Sequence, residues 1–309
     1  MYNIMNYSEQ INFWYKNKNF VNNPYENNIE ILLNKKIKDE IPFFSIVIPI
    51  YNQETIILQN LESILNNTTE QMYEIILILD CCSDNSEEIV KKYIDNMVVE
   101  SYPLLINVVV LKSNIPLFET SADNLGFYCS TGKYILEIQA DMKMIDYGYN
   151  MQLLKPFILN NNIIGISGRC CHSFDETQGI GKLGGDIIKS LSELNINKNA
   201  YYIAETCNRG PLLLDHSKLK ELDYLDETNY FLDNSDHDLF ARAFFLKKWE
   251  CGYVPIDFHA PLENGSTRKK RDNINEKYYN IKKELTKNGT AGFLKNNTMA
   301  KRDIIKVDL

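Results

Sequence analysis

Residues 43–141 alternate between apolar stretches and amphipathic segments, and this alternation constrains the fold more than any other feature of the sequence. The apolar stretches cover residues 44–52, 74–80, 106–111 and 132–141. They are short and rich in β-branched and aromatic residues, which is typical of buried strands, and the segments between them carry apolar residues at helical spacing. Strands that alternate with helices pair in parallel through right-handed crossovers. We therefore predict an α/β fold in which a mixed, mostly parallel sheet is flanked by helices.

Each of these predicted strands ends at a polar position. Tyr51, Asp80, the turn at Asn114 and Asp141 stand at the four carboxyl ends. Because open α/β sheets bind their ligands at that edge, we expect these groups to border one ligand crevice. The carboxylate of Asp141 is a hard oxygen ligand, which suits Mg²⁺ or Mn²⁺ carrying a phosphate ester. The simpler alternative is a strand that ends at a solvated aspartate.

Composition narrows the range of partners and compartments. The formal net charge is -8 and the isoelectric point is near 5.2, which argues against nonspecific nucleic-acid binding. There is no run of about 18 apolar residues, and residues 1–28 are polar and rich in Asn, so we expect no transmembrane segment and a cytoplasmic protein. The seven cysteines contain no Cys-x-x-Cys pair, which indicates neither a disulfide framework nor a zinc site.

The segments outside the alternating region are less regular. We predict that residues 1–42 form an extension packed on the main domain, with a short helix over residues 29–37 before Pro42. Residues 179–184 fit the pattern Gly-x-Gly-x-x-Gly, but they follow a polar segment instead of a strand, so we predict a mobile loop that closes over bound substrate.

Five short motifs follow one another in a fixed order within residues 49–141. They are Pro49-Ile50-Tyr51-Asn52, Leu79-Asp80-Cys81-Cys82-Ser83-Asp84-Asn85-Ser86, Asn124-Leu125-Gly126, Gly132-Lys133-Tyr134-Ile135 and Gln139-Ala140-Asp141. In type and order they resemble the motifs of family-2 glycosyltransferases, which have the Rossmann-like GT-A fold. The chain departs from the family pattern at Leu79 and Gln139, which replace the first Asp of their motifs, and at Asp123, where an Arg is common.

The resemblance implies a nucleotide-sugar donor, with UDP as the expected nucleotide. Tyr51 would stack on the base, and Asp80 would accept the imino N–H of a uracil. The nucleotide-binding residues that the resemblance implies are Pro49, Tyr51, Glu54, Asp80 and Ala140. A buried loop aromatic and a helix cap are the alternatives for Tyr51 and Asp80.

The resemblance also implies a divalent metal, Mn²⁺ or Mg²⁺, held by Asp141 and by His259 at the end of a later strand. One imidazole nitrogen among oxygen ligands suits Mn²⁺ better than Mg²⁺. The sequence has one concentrated run of positive charge, residues 268–271, which follows His259. This run would neutralise a diphosphate. The candidate contacts in that segment are Ser266, Thr267, Arg268 and Lys269. A solvated basic face is the alternative.

A catalytic base is expected in residues 231–243, which resemble the Gly-Glu-Asp-x-Asp-Leu-x-x-Arg segment of the family. Asp236 matches the family's catalytic Asp, Asp238 matches the second Asp, and Ser235 replaces the usual Glu. Inverting transfer needs a carboxylate that takes the proton of the acceptor hydroxyl, and we assign this role to Asp236. The alternative is that Asp236 caps a helix over residues 238–248. We expect His237 to orient the base or to face the acceptor.

Four further polar residues also receive predictions. Arg209, at a turn before an apolar segment, is a candidate contact for the acceptor or a phosphate, with a surface salt bridge as the alternative. Asp238 is a second candidate contact for the acceptor or the diphosphate. His172 and His216 are expected in turns or at the surface.

These observations together predict an inverting, metal-dependent glycosyltransferase that moves a sugar from a nucleotide-sugar donor to a hydroxyl of a glycan or another acceptor. We predict an extension over residues 1–42, a GT-A domain over 43–271 and a C-terminal tail or lid over 272–309. Residues 43–141 would form the nucleotide-binding half of the domain and 142–271 the acceptor half. The alternatives are a sugar-phosphate nucleotidyltransferase and a catalytically impaired nucleotide-sugar-binding protein.

Overall fold

The structure is a computed structural model that describes residues 6–16, 27–183, 189–232, 234–260, 273–288, 292–297 and 301–309. The strands of the described residues are β1 (Ile29–Lys36), β2 (Phe44–Ile50), β3 (Tyr73–Asp80), β4 (Leu105–Ser113), β5 (Tyr134–Glu137), β6 (Lys143–Met144), β7 (Ile163–Ser167), β8 (Cys170–His172), β9 (Gly179–Gly181), β10 (Ala200–Ala204), β11 (Thr206–Cys207), β12 (Leu212–Asp215), β13 (Glu250–Tyr253), β14 (Phe258–His259) and β15 (Ile305–Asp308). The α-helices are α1 (Tyr7–Lys16), α2 (Ile57–Asn67), α3 (Ser86–Asp95), α4 (Phe118–Cys129), α5 (Tyr149–Leu159), α6 (His216–Glu221), α7 (Ser235–Lys247), α8 (Asn273–Asn288) and α9 (Phe293–Asn296).

A ten-stranded mixed sheet runs through the molecule in the order β1-β4-β3-β2-β5-β12-β7-β13-β10-β15. The neighbours β4, β3, β2 and β5 are parallel, and their connections contain α2, α3 and α4. β12 then runs antiparallel between β5 and β7. The predicted α/β fold is thus confirmed, and the strand-helix alternation that predicts it lies in the parallel part of the sheet.

The central strands are apolar along their whole length because both faces of the sheet are covered. In β2, Ile46 and Ile48 belong to one core cluster together with Leu61 of α2. Val47, which points to the opposite face, belongs to a second cluster together with Leu125 of α4. Successive side chains of a strand point to opposite faces, so one uninterrupted apolar run supplies both core layers.

The helix predicted over residues 29–37 is wrong, because these residues form the edge strand β1. β1 pairs antiparallel with β4, and its apolar residues alternate irregularly around a bulge between Ile31 and Leu33. A short apolar run does not distinguish a helix from a strand by periodicity alone. The unpaired backbone groups along the free side of β4 decide the conformation, since a buried sheet edge needs hydrogen-bond partners.

The C-terminal segment also differs from the predicted tail or lid. Residues 305–308 form β15, which pairs antiparallel with β10 at the other edge of the sheet. The two segments expected to flank the domain therefore each contribute an edge strand to the central sheet. Edge strands receive hydrogen bonds from only one neighbour, so their own sequence carries a weak signal.

Two local predictions near the strand ends need correction. β5 ends at Glu137, so Gln139, Ala140 and Asp141 lie in the turn that follows it instead of in the strand. The side chain of Asn60 in α2 fixes this turn, because its Nδ2 donates to the carbonyl oxygens of Gln139 at 3.1 Å and Met142 at 2.6 Å. Residues 179–181, predicted as a mobile loop, form β9, which pairs with β8 in a three-stranded sheet.

The N-terminal helix α1 packs against α4. Trp14 is buried, and its indole N–H donates to Glu227 Oε1 at 3.1 Å. The same carboxylate accepts hydrogen bonds from Ser121 and Asn124 of α4. Glu227 thus joins α1 to the helix that carries the Asn-Leu-Gly motif. None of the helices in the described ranges has the length and apolar character of a membrane span.

Candidate active site

A cavity of about 220 Å³ opens where α4, the turn after β5, the turn after β7 and the start of α7 meet. Its lining residues are Glu119, Gln139, Arg169, Asn208, Arg209, Leu232, Asn234, Asp236 and His237. The cavity therefore brings the turn of the Gln139-Ala140-Asp141 motif next to the segment in which a catalytic base is predicted. These two segments are almost 100 residues apart in the sequence, so only the tertiary fold joins them.

Asp236 lies in the first turn of α7 and is 8% exposed. The N-cap of this helix is Asn234, in the left-handed conformation with φ 66°, so Asp236 is not the cap residue. Asp236 Oδ1 accepts the backbone N–H of His237 at 2.9 Å, and Oδ2 accepts that of Arg209 at 3.4 Å. Burial raises the pKa of Asp236. The charge that His237 carries at acidic pH, the Arg209 guanidinium and these N–H donors outweigh burial, so the net pKa lies below its ordinary value. The carboxylate is ionised at neutral pH.

Arg209 is buried at the centre of the site, so the surface salt bridge considered from the sequence is wrong. Its guanidinium pairs with Asp123 and donates to Ser235 Oγ, and it lies 3.4 Å from Glu119 Oε1. Its Nε lies 3.9 Å from Asp236 Oδ2. Turns usually expose their side chains, but this one precedes β12, a central strand, and therefore points its Arg into the protein.

More carboxyl groups surround this guanidinium than one positive charge can neutralise. Burial lowers the pKa of Arg209, but the carboxyl groups of Glu119, Asp123, Asp236 and Glu137 together outweigh burial and raise it. Burial raises the pKa of Asp123 to about 7, even though Arg209 lowers it. Burial, followed by the charge of Asp123, raises the pKa of Glu137 well above its ordinary value. Burial thus favours the protonated forms of both Asp123 and Glu137, and Glu137 Oε2 accepts the backbone N–H of Gly210 at 2.8 Å.

His237 and His172 pack against each other beside Asp236, with ring centroids 5.0 Å apart and ring planes at 78°. The prediction that His172 is an ordinary turn or surface residue is wrong, because it lies buried in β8 with Nε2 2.9 Å from Asn208 Oδ1. His237 Nε2 is buried, has no hydrogen-bond partner in the described structure, and lies 3.9 Å from Asp236 Oδ1. Burial lowers the pKa of His237, which keeps its ring neutral at neutral pH.

The residues predicted to bind the nucleotide lie around the adjoining strand ends and do not line this cavity. Asp80 is 7% exposed, and its two carboxylate oxygens accept the backbone N–H groups of Leu117 at 2.6 Å and Phe118 at 3.0 Å. Asp80 thus binds the N-terminus of α4, as the capping alternative requires. Glu54 Oε2 accepts the backbone N–H of Asn85 at 3.0 Å and joins the loops after β2 and β3. Tyr51 is half-buried in the first of these loops, next to Pro49 in β2, while Ala140 is buried.

Asp141 and His259, which are predicted to bind a metal, lie on neighbouring segments of the chain. β14 pairs with β6 so that His259 stands opposite Lys143, two residues after Asp141. His259 is exposed and Asp141 is half-buried. Within the described ranges no three His, Cys, Asp or Glu side chains cluster as a complete metal site. Mg²⁺ and similar ions are commonly held by one or two protein ligands together with substrate phosphates and water, so Asp141 and His259 fit a metal that arrives with a diphosphate.

Of the predicted site residues, the cavity brings together Arg209, Asp236 and His237. Asp238 is buried away from it, where its carboxylate accepts Arg242 Nε and the backbone N–H of Leu294, both at 2.9 Å. Ser266, Thr267, Arg268 and Lys269 lie outside the described residues. The sequence analysis missed Glu119, Arg169 and Asn208. Arg169 lies two residues after the apolar run that forms β7 (Ile163–Ser167), and this position near a strand end was the signal that could have identified it.

The architecture of this chain is that of the GT-A fold. Solved structures that are similar to this chain have the same fold. One is GalNAc-T7 with UDP, GalNAc and Mn²⁺, with a TM-score of 0.53 at 13% identity over 71% of this chain and 43% of that one. Another is the mannosyltransferase PcManGT from Pyrobaculum calidifontis in complex with GDP-Man and Mn²⁺, with a TM-score of 0.50 at 10% identity over 81% of this chain and 63% of that one.

Sequence comparison finds a family that part of the chain resembles. The sequence model described as Glycosyl transferase family 2 matches residues 45–179, the segment that contains all five motifs. These residues, less than half of the chain, are similar in sequence to glycosyl transferase family 2. An uncharacterized glycosyltransferase from Rickettsia bellii (strain RML369-C) is 28% identical over 164 residues, which are 53% of this chain and 21% of that protein. The matched region thus spans about a fifth of the length of this relative.

Proposed function

We propose that this protein is an inverting glycosyltransferase that moves a sugar from a nucleotide-sugar donor, with UDP as the nucleotide, to an acceptor hydroxyl. The observation that carries this proposal is that Asp236, an ionised and nearly buried carboxylate, shares a cavity with Gln139 of the turn that leads to Asp141. A base for the acceptor and a carboxylate for the diphosphate end of the donor would then flank the reacting atoms.

The proposed reaction is a single displacement at the anomeric carbon of the sugar. The acceptor oxygen attacks this carbon, the bond from the carbon to the diphosphate oxygen breaks, and the hydroxyl proton moves to a carboxylate oxygen of Asp236. Attack opposite to the leaving group inverts the configuration. Two backbone N–H groups, those of Arg209 and His237, hold the Asp236 carboxylate, so its orientation is set before substrate binds.

The donor and its metal are proposed to lie at the strand ends next to the cavity. Tyr51 would stack on the base, and Asp141 with His259 would hold Mn²⁺ or Mg²⁺. Such an ion supplies charge neutralisation for the departing nucleoside diphosphate. Asp80 already binds the N-terminus of α4 through both oxygens, but each carboxylate oxygen accepts more than one hydrogen bond, which leaves capacity for the base.

The test is an activity screen of the purified chain against nucleotide sugars in the presence of Mn²⁺, in which both hydrolysis and transfer are measured. We expect activity with a UDP-sugar and its loss when EDTA is added. Asp236→Asn should lower kcat by about 10²–10⁴-fold while donor affinity stays the same, because the amide cannot accept the proton. Asp95→Asn, at an exposed position of α3, is the matched control and should retain full activity.

The screen also distinguishes the enzyme from a protein that only binds nucleotide sugars. Donor binding that raises the melting temperature, without turnover of any donor and without an effect of Asp236→Asn, would contradict the proposed activity. The cytoplasmic location and the domain boundaries at residues 42/43, 141/142 and 271/272 stay predictions from the sequence.

A further inference from the structure

Arg169 lines the cavity next to Asp236, and its guanidinium has no partner among the described residues. Its backbone is fixed in the turn between β7 and β8, because its N–H donates to Ser167 Oγ at 2.9 Å and its carbonyl oxygen accepts the N–H of Lys182 at 2.8 Å. The backbone of Arg169 is thus held in place, while its guanidinium is available to bind a ligand in the cavity. A half-buried guanidinium without a partner is unfavourable, because it loses hydration without gaining an ion pair.

The other guanidinium of the cavity is already engaged. Arg209 pairs with Asp123, donates to Ser235 and has two further carboxylates near it, so it offers no net positive charge to a ligand. The carboxylates of Glu119 and Asp236 also line the cavity and would repel an anion. Arg169 therefore supplies the positive charge that an anionic ligand of this cavity would need.

His237, which also lines the cavity, carries a second unsatisfied polar group. His237 Nε2 is buried without a hydrogen-bond partner in the described structure, although buried polar atoms are nearly always paired in folded proteins. A neutral imidazole with its proton on Nε2 donates one hydrogen bond, and a guanidinium donates two parallel ones. A phosphate or carboxylate group has the acceptor oxygens to satisfy both residues.

The position of this site indicates which substrate carries the anionic group. A volume of about 220 Å³ is smaller than the roughly 300–1,000 Å³ typical of whole-ligand pockets, so the cavity accommodates only one end of a substrate. Asp236, which must reach the acceptor hydroxyl, lines it, whereas Tyr51, Asp80 and Asp141 do not.

We propose that the acceptor carries a phosphate or carboxylate group close to its reactive hydroxyl, and that Arg169 binds this group with His237 as a second donor. The proposal rests on the proposed function in one respect, that Asp236 marks the acceptor end of the site. It gives the acceptor a chemical class, an anionic hydroxyl compound, that the family resemblance alone does not specify.

Calorimetric titration of the full chain with glycerol 3-phosphate, and with glycerol as its neutral counterpart, tests the proposal. Saturating UDP and Mn²⁺ are present throughout, so that the site for the donor phosphates is already occupied. We expect glycerol 3-phosphate to bind and glycerol not to bind. Arg169→Gln should weaken this binding at least about tenfold, and Arg169→Lys should weaken it less, because a single ammonium keeps the charge but loses the bidentate contact.

The matched control is Lys155→Gln, which removes one exposed positive charge from α5 and should bind glycerol 3-phosphate as the wild type does. UDP affinity should also be unchanged in Arg169→Gln. Equal glycerol 3-phosphate binding by the wild type and Arg169→Gln would overturn the proposal, and so would a parallel loss of UDP affinity, which would assign Arg169 to the donor. Arg169-dependent binding in a protein that turns over no donor would support the anion site and contradict only the proposed activity.

Discussion

The guanidinium of Arg209 forms a buried ion pair with the carboxylate of Asp123, although 86 residues separate the two positions in the sequence. Asp123 stands where the resemblance to family-2 glycosyltransferases predicts an Arg. In this protein the positive charge next to α4 comes from the turn before β12 instead. The departure from the family pattern is therefore matched by a cation from another element, and several measurable consequences follow from this arrangement.

Arg209→Met should lower the free energy of unfolding by about 3–5 kcal/mol, because it leaves buried carboxyl groups without their cation. Urea denaturation followed by circular dichroism measures the loss. Lys112→Met is the control, since the ion pair of Lys112 with Glu87 is partly exposed and such pairs contribute about 0–1 kcal/mol. Similar losses in the two variants would show that the buried cluster does not depend on Arg209.

The raised pKa of Asp123 predicts a specific dependence of stability on pH. The unfolded chain releases this proton near the ordinary value of 3.8, whereas the folded protein holds it up to about 7. Between these values the folded state binds more protons, so the stabilising contribution is complete below about pH 4 and is lost as the pH rises to about 7. One proton corresponds to a slope of about 1.4 kcal/mol per pH unit.

Asp123→Asn removes the titrating group, so its free energy of unfolding should fall less steeply than that of the wild type between pH 4.5 and 6.5. Urea denaturation at several pH values gives the two slopes. Part of the raised pKa of Glu137 comes from the charge of Asp123, so Asp123→Asn also reduces the contribution of Glu137 to the slope and acts in the same direction. Asp95→Asn, whose side chain is exposed, should follow the wild type, and parallel slopes for Asp123→Asn and the wild type would contradict the buried proton.

Trp14→Ala should destabilise the protein by about 3–5 kcal/mol, because it removes a buried side chain and the hydrogen bond that joins α1 to Glu227. The neighbouring Phe13 is 45% exposed, and Phe13→Ala should cost less than about 1 kcal/mol. Thermal and chemical denaturation of both variants measure the difference. An undiminished stability of Trp14→Ala would mean that α1 is not part of the cooperative fold.

Gly126→Ala should also destabilise the protein, by about 1–3 kcal/mol, although alanine is the better helix former. A Cβ at this position would lie 2.9 Å from Ile78 Cδ1 and closer still to Val47 Cγ1, so α4 would have to move away from the sheet. Glu88→Ala, at an exposed position of α3, controls for the helix propensity and should change stability by no more than about 0.5 kcal/mol. A stabilised Gly126→Ala would show that the packing of α4 can relax.

The sequence alone predicted the elements of the parallel half of the sheet, because β2, β3 and β4 are buried on both faces and must be apolar along their length. It failed at β1 and β15, which are edge strands whose conformation depends on the neighbour to which they pair. It predicted Asp236 and His237 through a local motif. It missed Glu119, which belongs to the site only through its position in space, and it missed Arg169 although that residue closely follows the apolar run of β7.

What the sequence determined by itself is thus the class of fold and the residues that we propose for the chemistry, because both follow from local patterns of apolar spacing and from short motifs. The tertiary structure alone decided that Arg209 is buried among carboxyl groups, that burial raises the pKa of Asp123, and that Arg169 and Asp236 share a cavity. These properties arise from contacts between segments far apart in the chain. Burial and the nearby charges that set a pKa or leave a cation without a partner exist only after the chain has folded.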